Sequence, residues 1–420
     1  MKIRGILHRS YGRDVMLEGA APRGVDADVL VVGAGPVGLF LSGLLGRAGL
    51  RTVLIERRQS SAPPSMAIGI MPPSLMMFEA IGAAAPVVAA GCAVATAVVH
   101  DHAGELGRVD FTALPPPFAF ILAVSQGELM RILRARACSF PSVCVLDGRE
   151  AVGVRQDSSS VVLQVRDVRD DTRTELTAPF VAACDGCHST LRRLLGGVHD
   201  GKRYRVSFVM GDFPDTTAWA HDAHLFFTPR GSVESFPLPG HRRRWIALAD
   251  GPAADTPALV ERVRTISGVE LDAGAELWHS SFTPERRLAR TFSSGRVVLC
   301  GDAAHVMSPI GGQGMNTGFG DAWQLAAIMR RLSASHEHHA PLFARYETDR
   351  RRAFRIAANR AARGMWLGTR KGRIGSTVRA FVIRRVLLRP PFVLRLPPYF
   401  AMLTIPRGRD PLPPQPGGAA

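Results

Sequence analysis

One stretch, Arg296 to Gly318, combines an acidic turn, a proline-fixed loop and a cluster of glycines. Val297, Val298 and Leu299 read as a short buried strand, and Gly301 and Asp302 read as a sharp turn. Pro309 fixes the loop that follows. Gly311, Gly312 and Gly314 then lead through Met315 and Asn316 into a helix whose first amides would face an anion or an oxidised ring. Packing alone is a poor explanation for such a run.

A second glycine motif lies near the N-terminus. The apolar run Asp28 to Val32 is followed at once by Gly33-Ala34-Gly35-Pro36-Val37-Gly38, which opens a helix predicted over 37–48. A second strand, Thr52 to Ile55, ends at Glu56. This is the βαβ dinucleotide fingerprint. Gly33 makes the tight turn, Gly35 lets the backbone approach a pyrophosphate, Gly38 allows close helix–strand packing, and Glu56 accepts a ribose hydroxyl. A carboxylate here repels a 2′-phosphate, so FAD or NAD suits this site better than NADP.

One βαβ unit holds one ADP moiety, so a second anion site more than two hundred positions downstream calls for a cofactor with another end. FAD fits this requirement. Its adenosine half would lie on Gly33 to Glu56, with Asp302 on the ribityl chain and the helix after Gly312 facing the isoalloxazine. The positive helix end would favour a reduced, anionic flavin.

These two motifs resemble those of the FAD-dependent aromatic hydroxylases, the para-hydroxybenzoate hydroxylase-like group A flavin monooxygenases. Asp185, Gly186, Ser189 and Arg192 match that family's DGxxSxxR pattern, which the resemblance links to FAD and NAD(P)H. Ala67-Ile68-Gly69-Ile70, Pro72 to Leu75 and Glu79 to Gly82 look like the family segment after the second strand. Gln126 stands where the family has an Arg or Gln near the flavin side chain. Met66 replaces an arginine common in the family, leaving Arg57 or Arg58 to compensate.

The resemblance implies that NADPH or NADH reduces FAD, that O2 adds to give a C4a-hydroperoxyflavin, and that an aromatic or polyketide-like substrate is hydroxylated or epoxidised. Pro309, Gly311 and Gly312 would flank the reactive edge of the flavin. His221, His224, His241, His279 and Tyr204 fall in the expected substrate lobe without singling out a base, and His305 reads as support for the Asp302 turn. Two alternatives stay open. One is an oxidoreductase of the same fold without oxygen transfer, a reductase, dehydrogenase or halogenase, although a Trp-x-Trp-x-Ile-Pro halogenase element is missing. The other is a flavin-binding membrane- or carrier-associated protein.

The elements that must position these residues predict an α/β fold: a Rossmann-like FAD-binding domain, an interleaved mixed-sheet substrate domain and a helical C-terminal segment. The FAD domain is drawn over 28–90, 124–200 and 290–345, and the substrate domain over 91–123 and 201–289. An N-terminal arm (1–27), a basic helical segment (346–409) and a flexible tail (410–420) complete the plan. Strands are expected at Phe208–Phe213 and Trp245–Ala249. Phe208, Phe213, Trp219, Phe226, Phe227 and Phe236 make the substrate lobe suited to an aromatic molecule. At 420 residues and 46% hydrophobic, the chain can bury a large core. The weakly charged window 80–99 contains Pro86 and reads as helix, loop and strand in preference to a membrane span.

The formal charge of +16 is concentrated in one segment. Residues 350–409 hold fifteen arginines and Lys371 without an Asp or Glu, and the rest of the chain balances at 36 against 36. That distribution argues against nucleic acid as a partner. The Val378 to Arg389 stretch, halted by Pro390-Pro391, admits three readings: a helix on the flavin lobe with solvated arginines, an interfacial helix on anionic lipid, or a docking face for an acidic carrier protein. Cys184 and Cys187 form a CxxC too poor in ligands for a metal. Cys92, Cys138, Cys144 and Cys300 read as small buried hydrophobes, and no metal is expected. The cysteine usage predicts a cytosolic protein, peripheral to the membrane under the lipid reading.

Overall fold

A computed structural model of the chain describes residues 26–59, 67–251, 254–335, 337–369 and 372–408. Most of the expected N-terminal arm, Met66 and the 410–420 tail lie outside the described residues.

The apolar runs around the glycine motifs become neighbours in one six-stranded sheet. Its order is Ser293–Ser294, Val297–Leu299, Phe180–Ala183, Val29–Val32, Thr52–Glu56, Val143–Asp147. All neighbours are parallel except the Ser293–Ser294 edge. Strands buried on both faces of a parallel sheet need continuous apolar side chains. Val29, Leu30, Val31, Val181, Ala182, Val297 and Val298 are accordingly buried. Helices Pro36–Arg47 and Gln126–Cys138 pack on each other, and Gln313–Ala334 packs between the first of these and the long helix His339–Thr369.

A seven-stranded sheet forms the second lobe, in the order Trp278–Phe282, Ser207–Pro214, Arg242–Ala249, Gly231–Leu238, Ala223–Thr228, Thr96–Asp101, Gly104–Asp110. It is antiparallel except where Ala223–Thr228 meets Thr96–Asp101. The strands expected at 208–213 and 245–249 are both present. One face, carrying Val209, Phe213, Phe226, Val233 and Trp245, packs against Leu259 and Val263 of helix Thr256–Ser267. Each such side chain contributes on the order of 1.5–3 kcal/mol by leaving water. Asp255 caps that helix by accepting from the Ala258 amide, and Gly268 ends it in a left-handed conformation (φ 76°).

The fold is thus α/β, with a Rossmann-like domain interleaved with a mixed-sheet domain. Two expectations about the C-terminal part need correction. The boundary drawn at 346 falls inside the helix His339–Thr369, because Phe343, Tyr346, Arg350 and Phe354 form one continuous buried stripe. The second basic helix, Arg373–Val382, packs on the substrate sheet and not on the flavin lobe. Its buried Arg379 donates to the carbonyls of Thr228 (2.9 Å) and Leu367 (3.1 Å). The basic segment also turns other arginines inward: Arg351 bonds Glu347 at 2.7 Å, and Arg360 bonds the Tyr399 carbonyl at 3.0 Å. Window 80–99 forms helix Ala84–Ala89 and strands Cys92–Val94 and Thr96–Asp101. No helix among the described residues is long and apolar enough to cross a membrane.

Candidate flavin site

Val32, Ala183 and Leu299 are paired across three adjacent parallel strands. Gly33, Cys184-Asp185 and Cys300-Gly301 therefore emerge side by side at the carboxyl ends of those strands, where open α/β sheets bind their ligands. Three motifs distant in sequence converge on one crevice.

The first glycines differ in the space around them. Gly33 (φ 103°) turns beneath the second motif, where an added Cβ would lie 2.4 Å from the Cys184 carbonyl oxygen. A Cβ on Gly38 would meet the Gly33 carbonyl oxygen at 1.9 Å, so helix and turn pack backbone to backbone. At Gly35 the same atom meets nothing within 4 Å. Gly35 is also the N-cap, with Pro36 following and no side chain closing the helix end, so the first amides stay available to an anion.

At the end of the second strand, Glu56 accepts from the Ala34 amide at 2.8 Å and from Arg58 Nε at 2.8 Å. Burial would raise its carboxyl, but the hydrogen bonds and charge of Arg58 and the Ala34 amide bring it below the ordinary value. Arg57 is exposed, and the arginine at this cleft is Arg58, beside Ala34, Leu39, Met130, Arg134 and Asp147. Arg134 pairs with Asp147 through both guanidinium nitrogens. Gln126 opens its helix after the N-cap Ser125 and accepts from the Ala67 amide at 3.3 Å.

The DGxxSxxR segment is a built loop. Asp185 Oδ2 accepts from the Leu191 amide at 3.0 Å, and Ser189 caps helix Thr190–Leu194 through the Arg192 amide at 3.0 Å. Gly186 makes the turn between them with φ 77°. Arg192 donates to the carbonyls of Ala303 (2.7 Å) and Cys187 (2.9 Å), fastening this loop to the Asp302 turn. Asp185 Oδ1 is buried without a partner, as expected of a carboxylate oxygen aimed at a ligand hydroxyl.

Asp302 follows Gly301 (φ 64°) in a single helical turn, with its side chain accessible to the crevice. Surrounding protein nevertheless raises its carboxyl by desolvation, with Asp321 adding to the rise and His305 opposing it. The Gly312 amide donates to the Pro309 carbonyl at 2.9 Å, closing the loop. Gly311 and Gly312 both adopt positive φ, 78° and 65°. Gly312 is the uncapped N-cap of Gln313–Ala334, which leaves the amides of Gln313, Gly314 and Met315 at the loop. Asn316 accepts from the Met71 amide at 2.9 Å and donates to the Gly69 carbonyl at 2.9 Å, tying this helix to the segment after the second strand.

The sequence did not single out the carboxylate that holds this region together. Buried Asp321 accepts from His305 Nε2 (2.7 Å), Arg350 Nε (2.6 Å) and the Gly301 amide (3.0 Å). His305 supports the Asp302 turn, and it does so through Asp321. Among the cysteines, Cys138 is exposed and Cys144 only half-buried, contrary to expectation, because both lie where helix Gln126–Cys138 meets the edge strand of the sheet. Burial, with a smaller contribution from Cys138, pushes the Cys144 thiol up to about 11.

The residues present fit FAD: an open first turn at Gly35, a second uncapped helix end at Gly312, and an unsatisfied Asp185 oxygen between them. Residues 26–361 match the FAD binding domain family. Among curated proteins, the 6-methylpretetramide 4-monooxygenase of Streptomyces rimosus is 32% identical over 76% of this chain and 56% of its own length. An uncharacterised aromatic compound monooxygenase, YhjG of Bacillus subtilis, is 30% identical over 71% of this chain and 61% of its own length. The chain thus spans about three-fifths of these relatives. Among solved structures, the p-nitrophenol 4-monooxygenase PnpA of Pseudomonas putida superposes with a TM-score of 0.83 over 92% of this chain and 99% of its own. At 22% identity, that likeness speaks for the fold alone. OxyS, the anhydrotetracycline hydroxylase of Streptomyces rimosus, gives 0.73 at 25% identity, covering 93% of this chain and 78% of its own. The chain belongs to the FAD binding domain family, among the para-hydroxybenzoate hydroxylase-like group A flavin monooxygenases, and FAD is its cofactor.

Proposed function

We propose that this protein uses NAD(P)H and O2 to hydroxylate or epoxidise an aromatic or polyketide-like small molecule. The observation that carries the reading is the convergence of Gly33, Asp185 and Gly301 at one row of strand ends. When bound, FAD supplies the reduction of O2 and the transfer of one oxygen atom to an electron-rich carbon. The protein's part is binding, orientation and exclusion of water. Gly33 to Gly38 and Glu56 would hold the adenosine and pyrophosphate, Asp185 and Asp302 the polyol chain, and the Pro309–Gly312 loop and Gln313 helix end the ring.

Strand register divides the aromatic residues of the substrate lobe. Phe213 and Phe226 face the helix Thr256–Ser267, with Trp219 packed against their cluster. By alternation, Phe208, Phe227 and Phe236 occupy the other face, which supports an aromatic substrate on that side. The test is a panel of phenolic and polyene compounds: a substrate must accelerate NAD(P)H oxidation and return a product heavier by one oxygen. Acceleration without oxygen incorporation would favour an oxidoreductase of the same fold.

The surface of the C-terminal segment supports a lipid contact as well. Trp366, Val378, Phe381, Val386, Phe392, Leu394 and Phe400 are exposed there, interspersed with exposed Arg384, Arg385, Arg389 and Arg395. Apolar side chains among cations and no acids fit an anionic membrane surface.

A further inference from the structure

Glu234 lies in the strand Gly231–Leu238, in a cross-strand row with Met210, Ile246 and Leu225. Alternation places it on the face shared by Ser232 and Phe236, whereas Val233 points into the core beneath helix Thr256–Ser267. Two contacts show what this face looks onto. Ser232 faces Gly368 of the long helix, and Gly364, one turn or about 6 Å earlier, faces Ile310 of the flavin loop. Phe236 and Ile121 pack against one apolar cluster, and Ile121 also packs against the cluster that contains Met71 and Met307. Glu234 is therefore on the wall of the space between the substrate sheet and the loop beneath the flavin ring.

Its carboxyl has no hydrogen-bond or ion-pair partner among the described residues. The charged groups nearest on this face are engaged elsewhere. Arg244 and Asp212 bind each other at 2.6 and 2.8 Å, and Arg379 donates to the Thr228 and Leu367 carbonyls. The long helix contributes Gly364 and Gly368 here. Burial alone pushes the Glu234 carboxyl up to about 7. A half-buried acid in an apolar row, unpaired in a protein that pairs most of its buried charges, calls for a ligand donor. His224 and His279 do not compete for this role. His224 stacks on Trp219 and bonds His100 at 2.9 Å, and His279 is held by Glu276 and the Ala254 carbonyl; both belong to the opposite face.

We propose that Glu234 is the proton acceptor for a phenolic hydroxyl of the substrate, an inference that rests on the hydroxylase reading above. The phenol O–H bond breaks, its proton forms an O–H bond to a Glu234 carboxylate oxygen, and the electron pair stays on the phenolate. The ring becomes more electron-rich, and the proton leaves to water when product departs. No electrons are exchanged in this step. An acid with a midpoint near the operating pH suits such a transfer.

Two experiments on the FAD-loaded protein test this. In equilibrium dialysis without reductant, the parent binds 4-nitrophenol at least about tenfold more tightly than 4-nitroanisole, whose hydroxyl is methylated, and E234L binds the two alike. An unchanged preference in E234L overturns the proposal. In turnover, E234Q loses on the order of 100-fold in kcat/KM with weakly acidic phenols and much less with 4-nitrophenol above neutral pH, where that substrate is already ionised. Equal losses with both would mean a merely structural role and would also overturn it. If the parent discriminates in dialysis yet oxygenates no phenol, the hydroxylase reading fails while the phenol site stands.

Discussion

Removing the charge of Asp321 should loosen the flavin turn and the C-terminal helix together. Its carboxylate is fully buried, as is its partner Arg350, and it receives hydrogen bonds of 2.7, 2.6 and 3.0 Å from His305, Arg350 and the Gly301 amide. Burial would raise this carboxyl, but the charges of His305 and Arg350 and their hydrogen bonds outweigh it, and the group lies below its ordinary value. In Asp321→Asn, the Arg350 guanidinium keeps its bonds to the Thr317 and Pro406 carbonyls but becomes a buried cation without an anion. Breaking one side of such a pair costs about 3–5 kcal/mol. At about 2 °C per kcal/mol for a chain of this size, melting should fall by roughly 6–10 °C. The sign with pH follows from the depressed folded value: the contribution is complete above the ordinary carboxylate range and is lost as pH falls through the folded value. The gap between parent and variant should therefore be widest near neutral pH and narrow below about pH 4. Melting of the FAD-loaded proteins followed by circular dichroism across this range is the assay. A variant that melts within about 2 °C of the parent at neutral pH would refute the account of this network.

Other outcomes follow from the same geometry. Gly35→Ala should melt like the parent but lose at least about tenfold in FAD affinity, since its Cβ enters only the open crevice, whereas Gly38→Ala should fail to fold; FAD content and melting curves separate the two. Glu234→Gln should melt higher than the parent above neutral pH and equal to it in acid, because a raised folded carboxyl withdraws stability as pH climbs from the ordinary range through about 7. Equal melting at both ends would contradict the burial of that group. The protein should co-sediment with anionic but not zwitterionic vesicles at low salt, and a Phe381→Glu, Leu394→Glu double variant should abolish this; retention by the variant counts against the lipid face.

The parts of the site legible in the sequence are those that local backbone geometry forces. A turn at Gly33 beneath Cys184 and a helix packed onto the Gly33 carbonyl admit only glycine, so their spacing carries information without an alignment. Asp302 was readable for the same reason, as the polar residue of a glycine turn between a strand and a helix. Asp321 and Arg350 are 29 positions apart on different helices, and only the packing of those helices makes them partners. Glu234 was not singled out by the sequence, where it is one acid in an alternating strand. Its role depends on register with Met210, Ile246 and Leu225 and on what the sheet faces. Of the histidines that composition brought forward, His224 and His279 sit on the covered side of that same sheet while His221 and His241 are exposed, and the arginine that pairs with Glu56 is Arg58, one place from the exposed Arg57.

The central claim is that the bound flavin delivers an oxygen atom from O2 to an aromatic carbon. The direct measurement is turnover of a phenolic or polyketide substrate by the FAD-loaded protein and NAD(P)H under isotopically heavy O2, with mass analysis of the product. The account predicts one heavy oxygen per product molecule, at a new hydroxyl or epoxide. Heavy oxygen found only in peroxide and water, with every substrate returned unoxygenated or merely dehydrogenated, would contradict it.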